Sequence, residues 1–277
     1  MDVLLLFVLA IGQPASRDAD ELEEFLRRAE IVSHNDIPVG VTRPMKLELS
    51  DGARMLRASW KTVDISRPGI TRFADGTIEK NFTDSYRNEI AAYELDKLLG
   101  LGMVPPTVER RIGGRKGGLQ LWVTGVTMEK TEELSGDMEI WRQQVSVMWL
   151  FDDLIANIDR HLNNAMVSPE HRLILIDNSK TFRNYRELLN DLDANGTGTH
   201  ARFWGVPYDQ NRDRYPTHYP RAFVERLRAV SDDEIKEAIK RYIWGYDQKL
   251  VLMRRELILS RLDGMEGILD SPDSTGE

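Results

Sequence analysis

The first part of the sequence alternates apolar and polar residues at the spacing of β-strands, after one helical segment. Residues 18–29 place Leu22, Phe25 and Leu26 on one side of a helix and charged residues on the other. Residues 45–50 and 53–64 are predicted as strands, because Asp51-Gly52 between them favours a tight hairpin turn. We therefore expect a short amphipathic helix that packs across the core, followed by a β-hairpin.

A polar stretch separates this hairpin from the clearest helix of the chain. Residues 66–81 combine a proline, two glycines and mixed charge, which predicts a mobile loop. Residues 84–99 are predicted to be helical, with Thr83 or Asp84 as the N-terminal cap and Gly100 as the stop.

The pattern then returns to strands and finally becomes helical. A second hairpin is predicted from strands at 107–112 and 119–126, joined by a glycine-rich turn at 113–118, and a polar linker covers 127–137. Residues 139–158 form a long helix that is apolar on more than one face, which indicates burial. Further helices are expected at 221–229, after Ser231 with a capping box to Glu234, and at 248–262. This order of elements is typical of an α+β fold.

Composition narrows the range of functions. The 277 residues suit one large domain or two lobes, and the net charge of −8 without a basic run disfavours a nucleic-acid partner. The absence of cysteine excludes disulfides and thiolate metal sites. Residues 191–202 imitate the first half of a calcium-binding loop, but Arg202 stands where a glutamate is required.

The N-terminus carries a short apolar run that bears on localisation. Val3 to Ile11 are nine apolar residues, a length that suits the core of a signal peptide but is too short to span a bilayer. Residues 1–16 are therefore a candidate signal peptide, although Asp2 stands where a basic residue is usual. Export and a cytoplasmic location both remain open, and no later segment reaches transmembrane length.

The strongest candidate chemistry lies in residues 150–182. Asp159 is followed five residues later by Asn164, and a predicted hairpin then leads to Asp177. Kinases arrange a catalytic Asp, a metal-binding Asn and a second metal-binding Asp in this order. Carboxylate and carboxamide oxygens are hard ligands that suit Mg²⁺. A purely structural interpretation also exists, in which Asp159 caps a turn and Asp177 ends a strand.

Two sequence motifs resemble known kinase families. DRHLNNAMV followed by LILIDNS resembles the DRHxxN…ID pattern of the phosphatidylinositol 3- and 4-kinases and their bacterial relatives, and the DRH element of the secretory-pathway casein kinases. RNEIAAYELDKLLGLGMVPPTVER resembles a helix and strand of the same casein kinases. HipA-type kinases are similar as well. The chain differs from the casein kinases in lacking cysteine, and Asn178 stands where relatives carry Phe, His or Gly.

The resemblance implies an atypical kinase with a two-lobed, protein-kinase-like fold. A small β-rich N-lobe with a leading helix would occupy residues 17–126, a larger, mainly helical C-lobe 127–265, and a flexible tail 266–277. A nucleotide would bind in the cleft between the lobes.

The resemblance also implies a role for individual residues. Lys61 would neutralise the α- and β-phosphates of ATP, and Glu89, with Glu94 as its rival, would hold that lysine. Asn164 and Asp177 would bind Mg²⁺ or Mn²⁺, and Asp159 would orient the acceptor hydroxyl and take its proton. The remaining nucleotide contacts are expected from the phosphate-covering loop and the hinge: Gly40, Thr42, Arg43 and Val123.

The function implied is an ATP-dependent phosphotransferase that acts on a hydroxyl group, with protein Ser/Thr favoured over lipid because no basic membrane-facing patch stands out. Two alternatives stay open: a pseudokinase that binds without turnover, and an enzyme of the same fold that transfers AMP.

Overall fold

The computed structural model describes residues 16–36, 44–128, 138–183 and 219–263. Strands dominate the first part of the chain and helices the last part, as predicted. The strands are β1 (Glu30–Asp36), β2 (Met45–Ser50), β3 (Met55–Lys61), β4 (Asp64–Arg72), β5 (Ile78–Ser85), β6 (Thr107–Ile112), β7 (Arg115–Leu121), β8 (Val126–Thr127), β9 (Ala165–Val167) and β10 (Leu173–Leu175). The helices are α1 (Ser16–Arg28), α2 (Tyr86–Leu99), α3 (Met138–Leu154), α4 (Arg221–Ala229), α5 (Asp232–Ile239) and α6 (Tyr246–Asp263).

The main sheet is antiparallel, with the strand order β1-β2-β3-β7-β6, and α1 covers one of its faces. Phe25 and Leu26 of α1 are buried against apolar residues of the sheet such as Leu47 and Leu119. The guanidinium of Arg110 in β6 donates to the carbonyl of Leu26 at 2.8 Å, so it satisfies a free carbonyl at the end of α1. The predicted amphipathic helix and its packing across the core of this part are confirmed.

Two glycines that were assigned to a turn lie within β7. The turn between β6 and β7 contains only Gly113 and Gly114, and Gly117 and Gly118 belong to the strand. A Cβ atom on Gly117 would lie 2.5 Å from the carbonyl oxygen of Lys61, closer than real contacts allow. The glycine-rich composition therefore reflects the close approach of β7 to the end of β3.

The prediction of a mobile loop at 66–81 is wrong. These residues form most of a two-stranded antiparallel ribbon, β4–β5, in which the register shifts between Arg67 and Ile70. The bulge accommodates Pro68 and Gly69, the residues that favoured a loop. The ribbon is largely exposed, so it lacks the apolar alternation by which a half-buried strand is recognised.

Contacts with the segment after β10 anchor the inner face of the ribbon. Arg183 is fully buried and pairs with Glu79 of β5 at 2.6 Å. Its guanidinium also lies 5.7 Å from the ring centre of Phe82, a cation–π distance. The ribbon is therefore attached to the segment that carries Asp177.

Helix α2 begins two residues later than predicted. Its N-cap is Ser85, whose hydroxyl accepts a hydrogen bond from the backbone N–H of Arg87 at 3.1 Å. Thr83 and Asp84, the predicted caps, are still paired with β4. Gly100 ends the helix in the left-handed region (φ 69°), as predicted.

Helix α3 ends at Leu154 instead of the predicted Ile158. Ala156 adopts a left-handed conformation (φ 53°), and the backbone N–H of Asn157 donates to the carbonyl of Asp152 at 2.8 Å. Together with the bond from the N–H of Ala156 to the carbonyl of Asp153, this is a Schellman motif. The apolar pattern continues past the helix because Ile155 and Ala156 remain buried.

The C-terminal part packs α3 against α6 and places α5 beside α2 around a large apolar core. Ser231 and Glu234 form the predicted capping box at the start of α5, and α6 begins two residues before the predicted position. In the described part of the chain, no helix is both long and apolar enough to cross a membrane. The α+β order with a sheet-rich part and a helical part is confirmed.

Several predicted segments lie outside the described residues. They include residues 1–15 of the candidate signal peptide, the phosphate-covering loop with Gly40, Thr42 and Arg43, the calcium-loop imitation at 191–202 and the tail at 266–277. Of the predicted linker at 127–137, only the first two residues are described, and Thr127 belongs to β8.

Candidate active site

Lys61 stands at the end of β3 and faces two carboxylates. Its ammonium forms an ion pair with Glu89 of α2 and lies 2.9 Å from an oxygen of Asp177, which follows β10. Burial lowers the pKa of Lys61, but the two carboxylates outweigh this effect, so the pKa is raised above its ordinary value. The structure thus brings together three of the predicted site residues from three distant parts of the sequence.

Glu89 uses both carboxylate oxygens. One faces Lys61, and the other accepts a hydrogen bond from the backbone N–H of Asn178 at 3.0 Å. Burial raises the pKa of Glu89, while the ammonium of Lys61 and the N–H of Asn178 favour its ionised form. Glu94, the rival candidate, is close to Glu23 and Lys97 instead.

Asp177 combines an unusual backbone with an open carboxylate. Its φ of 56° lies in the left-handed region, which is costly for a non-glycine residue and is found at sites where the surrounding structure imposes it. The side chain is 46% exposed, so it remains accessible to solvent while one oxygen contacts Lys61. The ammonium of Lys61 lowers the pKa of Asp177 below its ordinary value, so the carboxylate is charged at neutral pH.

Asp159 and Asn164 lie on the loop between α3 and β9. The carboxamide nitrogen of Asn164 donates to the backbone carbonyl of Asp159 at 3.1 Å, which leaves its oxygen as the group suited to a cation. The carbonyl of Asn164 accepts a hydrogen bond from the N–H of Ile176 at 3.1 Å, so this loop is joined directly to the residue before Asp177. The carboxylate of Asp159 pairs with Lys180 at 3.0 Å.

Arg160 connects the loop before β9, which carries Asn164, with the segment after β10, which carries Asp177. Its guanidinium makes a two-point contact with Asp152 (2.9 and 3.0 Å) and donates to the carbonyls of Asn164 (2.6 Å) and Ile176 (2.8 Å). A fifth hydrogen bond reaches the side-chain oxygen of Asn178 at 2.7 Å. Arg160 is buried, and its planar fork matches this set of acceptors.

The segment after Asp177 is attached to the N-terminal end of α2. The carboxamide of Asn88 donates to the carbonyls of Ser179 (2.8 Å) and Thr181 (2.9 Å), and the N–H of Ser85 donates to the carbonyl of Ser179 at 3.0 Å. Asp84, whose pKa is raised by burial, hydrogen-bonds the side chain of Ser179. Helix α2 and the loop that carries Asp177 are therefore held together as one unit.

Val123 lies in the extended segment between β7 and β8, where the chain passes from the sheet to the helical part. A Cβ atom on the neighbouring Gly125 would be 2.5 Å from the carbonyl oxygen of Val167. Glycine thus allows this segment to pass close to β9. Contact of Val123 with a nucleotide remains a prediction.

The donor set is compatible with a hard divalent cation that also binds phosphate. No group of three or more His, Cys, Asp or Glu residues suited to a metal occurs within residues 16–36, 44–128, 138–183 and 219–263. Asn164 and Asp177 offer one carboxamide and one carboxylate, which is the small number of protein ligands that Mg²⁺ takes when phosphate oxygens and water complete its shell.

Sequence reasoning missed four residues of this site. Asp84, Asn88, Ser179 and Lys180 contact the predicted residues or fix their backbone. Asn178, which differs from the residues that relatives carry at this position, is fully buried. Its backbone N–H donates to Glu89, and its side-chain oxygen accepts a hydrogen bond from Arg160. These residues could have been found as polar residues within segments that otherwise look buried. A buried polar side chain needs a hydrogen-bond partner, so it indicates a specific contact.

Comparison with known proteins supports the fold. The sequence matches no family model, and no curated protein matches it. Among solved structures, a hydra Fam20 protein determined with sugar covers 97% of both chains with a TM-score of 0.67 at 14% identity. A Golgi casein kinase has a TM-score of 0.59 at 13% identity and covers 94% of this chain and 80% of that one.

A structure of the Golgi casein kinase with Mn and ADP bound is also similar, with a TM-score of 0.56 at 12% identity. It covers 90% of this chain and 76% of the other. At these identities the likeness demonstrates the fold. The prediction of a two-lobed, kinase-like α+β architecture is therefore confirmed.

Proposed function

We propose that this protein is an ATP-dependent kinase that transfers the γ-phosphoryl group to a hydroxyl acceptor. The observation that carries the proposal is the ion-pair cluster of Lys61, Glu89 and Asp177. Kinases need a lysine held by a helix glutamate and a metal-binding aspartate next to it. The kinase-like fold of the structural neighbours agrees with this assignment.

Lys61 would neutralise phosphate charge at the nucleotide end of the site. Glu89 keeps its ammonium extended from β3, and their burial strengthens electrostatic interactions with phosphate relative to water. Because the cluster has one cation and two anions, a bound phosphate requires further positive charge. Asn164 and Asp177 would hold a divalent cation, Mg²⁺ or Mn²⁺, which when bound would neutralise phosphate charge and fix the phosphate geometry.

Asp159 would orient the acceptor hydroxyl and take its proton as the phosphoryl group is transferred. Its carboxylate is 34% exposed, so an acceptor can reach it from solvent. A protein Ser/Thr hydroxyl is favoured, since one structural neighbour is a casein kinase. Sugar hydroxyls deserve a place in the test, because the hydra neighbour was determined with sugar.

The decisive experiment compares ATP labelled at the γ- or α-phosphate, with Mg²⁺ or Mn²⁺, on a protein, an inositol lipid and a sugar acceptor. The proposal expects transfer of the γ-label only, and loss of transfer in Asp177→Ala with the fold intact by circular dichroism. Transfer of the α-label would instead indicate AMP transfer. Nucleotide binding without transfer to any acceptor or to water would indicate a pseudokinase.

A further inference from the structure

Lys180 is a second lysine of the candidate site, on the side where the acceptor would enter. It lies three residues after Asp177, and its ammonium is 3.0 Å from a carboxylate oxygen of Asp159. The two side chains are 30% and 34% exposed, so both are reachable from solvent. Its positive charge also acts on Asp177 and on Asp84.

The backbone on either side of Lys180 is fixed although its side chain is not buried. Ser179 and Thr181 are buried, and their carbonyls both accept hydrogen bonds from the Asn88 carboxamide. The hydroxyl of Thr181 donates to the carbonyl of Asn178 at 2.7 Å. The ammonium of Lys180 is thus presented from an anchored segment.

Stability alone does not account for this arrangement. An ion pair as exposed as that of Lys180 and Asp159 contributes about 0–1 kcal/mol, because water screens it. The same ammonium at the edge of a phosphate site would act on charge that develops during transfer, where fixed cations have their largest effect on rate.

Resting on the proposed function, we propose that Lys180 is a further catalytic residue that binds the γ-phosphoryl group as it passes to the acceptor. The bond between the γ-phosphorus and the β–γ bridging oxygen breaks, and a bond from the phosphorus to the acceptor oxygen forms. The hydroxyl proton goes to Asp159, and ADP leaves with the bridging oxygen. Lys180 donates hydrogen bonds to the non-bridging oxygens and keeps its protons.

This role also explains the contact between Lys180 and Asp159. In this structure the ammonium pairs with the carboxylate. With ATP bound, its hydrogen bonds shift towards the γ-phosphate, and Asp159 becomes available to the acceptor. Lys61 would then serve the α- and β-phosphates and Lys180 the group that moves.

The test compares Lys180→Met and Lys180→Arg with the wild-type full chain. Binding of ADP and of ATP is measured by calorimetry at one Mn²⁺ concentration, and turnover is measured as release of γ-label to protein or water. For Lys180→Met we expect ADP affinity within about twofold of wild type, ATP affinity reduced to that of ADP, and turnover reduced by about 10²-fold. Lys180→Arg should retain most of the ATP affinity and most of the turnover. Lys236→Met, which removes an exposed cation of α5, is the matched control. It should leave nucleotide affinity and turnover unchanged.

The outcomes separate this inference from the proposed function. Wild-type turnover in Lys180→Met, or an equal loss of ADP and ATP affinity, would overturn the role of Lys180 while leaving the kinase assignment intact. A wild-type protein that binds neither nucleotide would overturn the proposed function and this inference with it. If Lys180→Met loses only ATP affinity and turnover, and Lys180→Arg recovers them, the proposed role of Lys180 is supported.

Discussion

Glu89 accepts a hydrogen bond from the backbone N–H of Asn178 at 3.0 Å through the oxygen that does not face Lys61. Since Asn178 directly follows Asp177, one buried carboxylate sets the relative positions of α2, the end of β3 and the candidate metal-binding loop. The lysine, the helix glutamate and the aspartate are therefore assembled in this structure. No movement of α2 is needed to bring Glu89 to Lys61.

The first prediction concerns the unequal charges of this cluster. Lys61→Met leaves two neighbouring carboxylates without their cation, so we expect the free energy of unfolding to fall by about 3–5 kcal/mol. Glu89→Gln leaves Lys61 paired with Asp177, and we expect a smaller loss of about 1–2 kcal/mol. Urea denaturation measures both values. A glutamine variant that is as unstable as the methionine variant would contradict this view of the cluster.

The second prediction tests the attachment of the Asp177 loop to α2. Asn88→Ala removes the two hydrogen bonds to the carbonyls of Ser179 and Thr181 and the longer one to the hydroxyl of Thr83, at a cost of about 1–3 kcal/mol in stability. Because Asp177 is then less well positioned, the Mg²⁺ concentration for half-maximal turnover should rise several-fold.

A matched control exists in α6. Gln248 donates its carboxamide to the carbonyl of Ile243 at 2.8 Å, away from the candidate site. Gln248→Ala should lower stability but leave the Mg²⁺ requirement unchanged. If the two variants shift that requirement equally, Asn88 has no specific role in positioning Asp177.

The third prediction concerns Arg160. Lysine keeps the charge but cannot reach Asp152, the two loop carbonyls and Asn178 together, so Arg160→Lys should cost about 3–5 kcal/mol in stability. Turnover per folded molecule should also fall at least tenfold, because the loops that carry Asn164 and Asp177 lose their common support.

Arg255 provides the comparison for Arg160. It joins α4 to α5 through the carbonyls of Leu227 and Val230 and the carboxylate of Asp232. Arg255→Lys should lower stability in thermal unfolding while turnover per folded molecule stays at the wild-type level. Equal loss of turnover in both variants would show that the effect of Arg160→Lys is general instability.

The fourth prediction is a pH dependence of stability that arises from Asp96. This buried residue accepts backbone hydrogen bonds from Gly102, Met103 and Val104, yet burial raises its pKa to about 7. The folded state then keeps a proton that the unfolded state releases near pH 4. The contribution of Asp96 to stability is therefore complete below about pH 4 and is lost as the pH rises towards 7.

Urea unfolding of wild type and Asp96→Asn between pH 4.5 and 8 checks this sign. The asparagine retains an acceptor oxygen and has no proton to lose in this range. We expect wild-type stability to fall relative to the variant by roughly 3 kcal/mol as the pH rises across this range. A difference that stays constant with pH would mean that Asp96 is ionised throughout.

Much of the local structure could be predicted from the sequence because it depends on neighbours along the chain. The turn at Asp51-Gly52, the stop at Gly100 and the capping box at Ser231 each involve only a few adjacent residues. The amphipathic pattern of α1 likewise predicts which of its sides is buried. The order of Asp159, Asn164 and Asp177 also contributed to the prediction of a kinase-like fold, which the structural neighbours share.

The errors have a common physical cause. The ribbon β4–β5 is stabilised by pairing between its own strands and by Arg183, so its exposed residues do not show the alternation of a half-buried strand. Helix α3 ends early because Ala156 adopts a left-handed conformation although its side chain is buried. In both places tertiary packing overrides the local pattern.

The sequence alone determined the general succession of a strand-rich part and a helical part, the helix stop at Gly100, the cap at Ser231, and a short set of candidate acids and one lysine. Only the tertiary structure decided that Glu89, and not Glu94, pairs with Lys61. It also decided that Asn88 donates a hydrogen bond to the carbonyl of Ser179, 91 residues away in the sequence, and that Lys180 forms an ion pair with Asp159. These contacts form because buried polar groups must find partners, and the partner is chosen by how the sheet-rich part packs on the helical part.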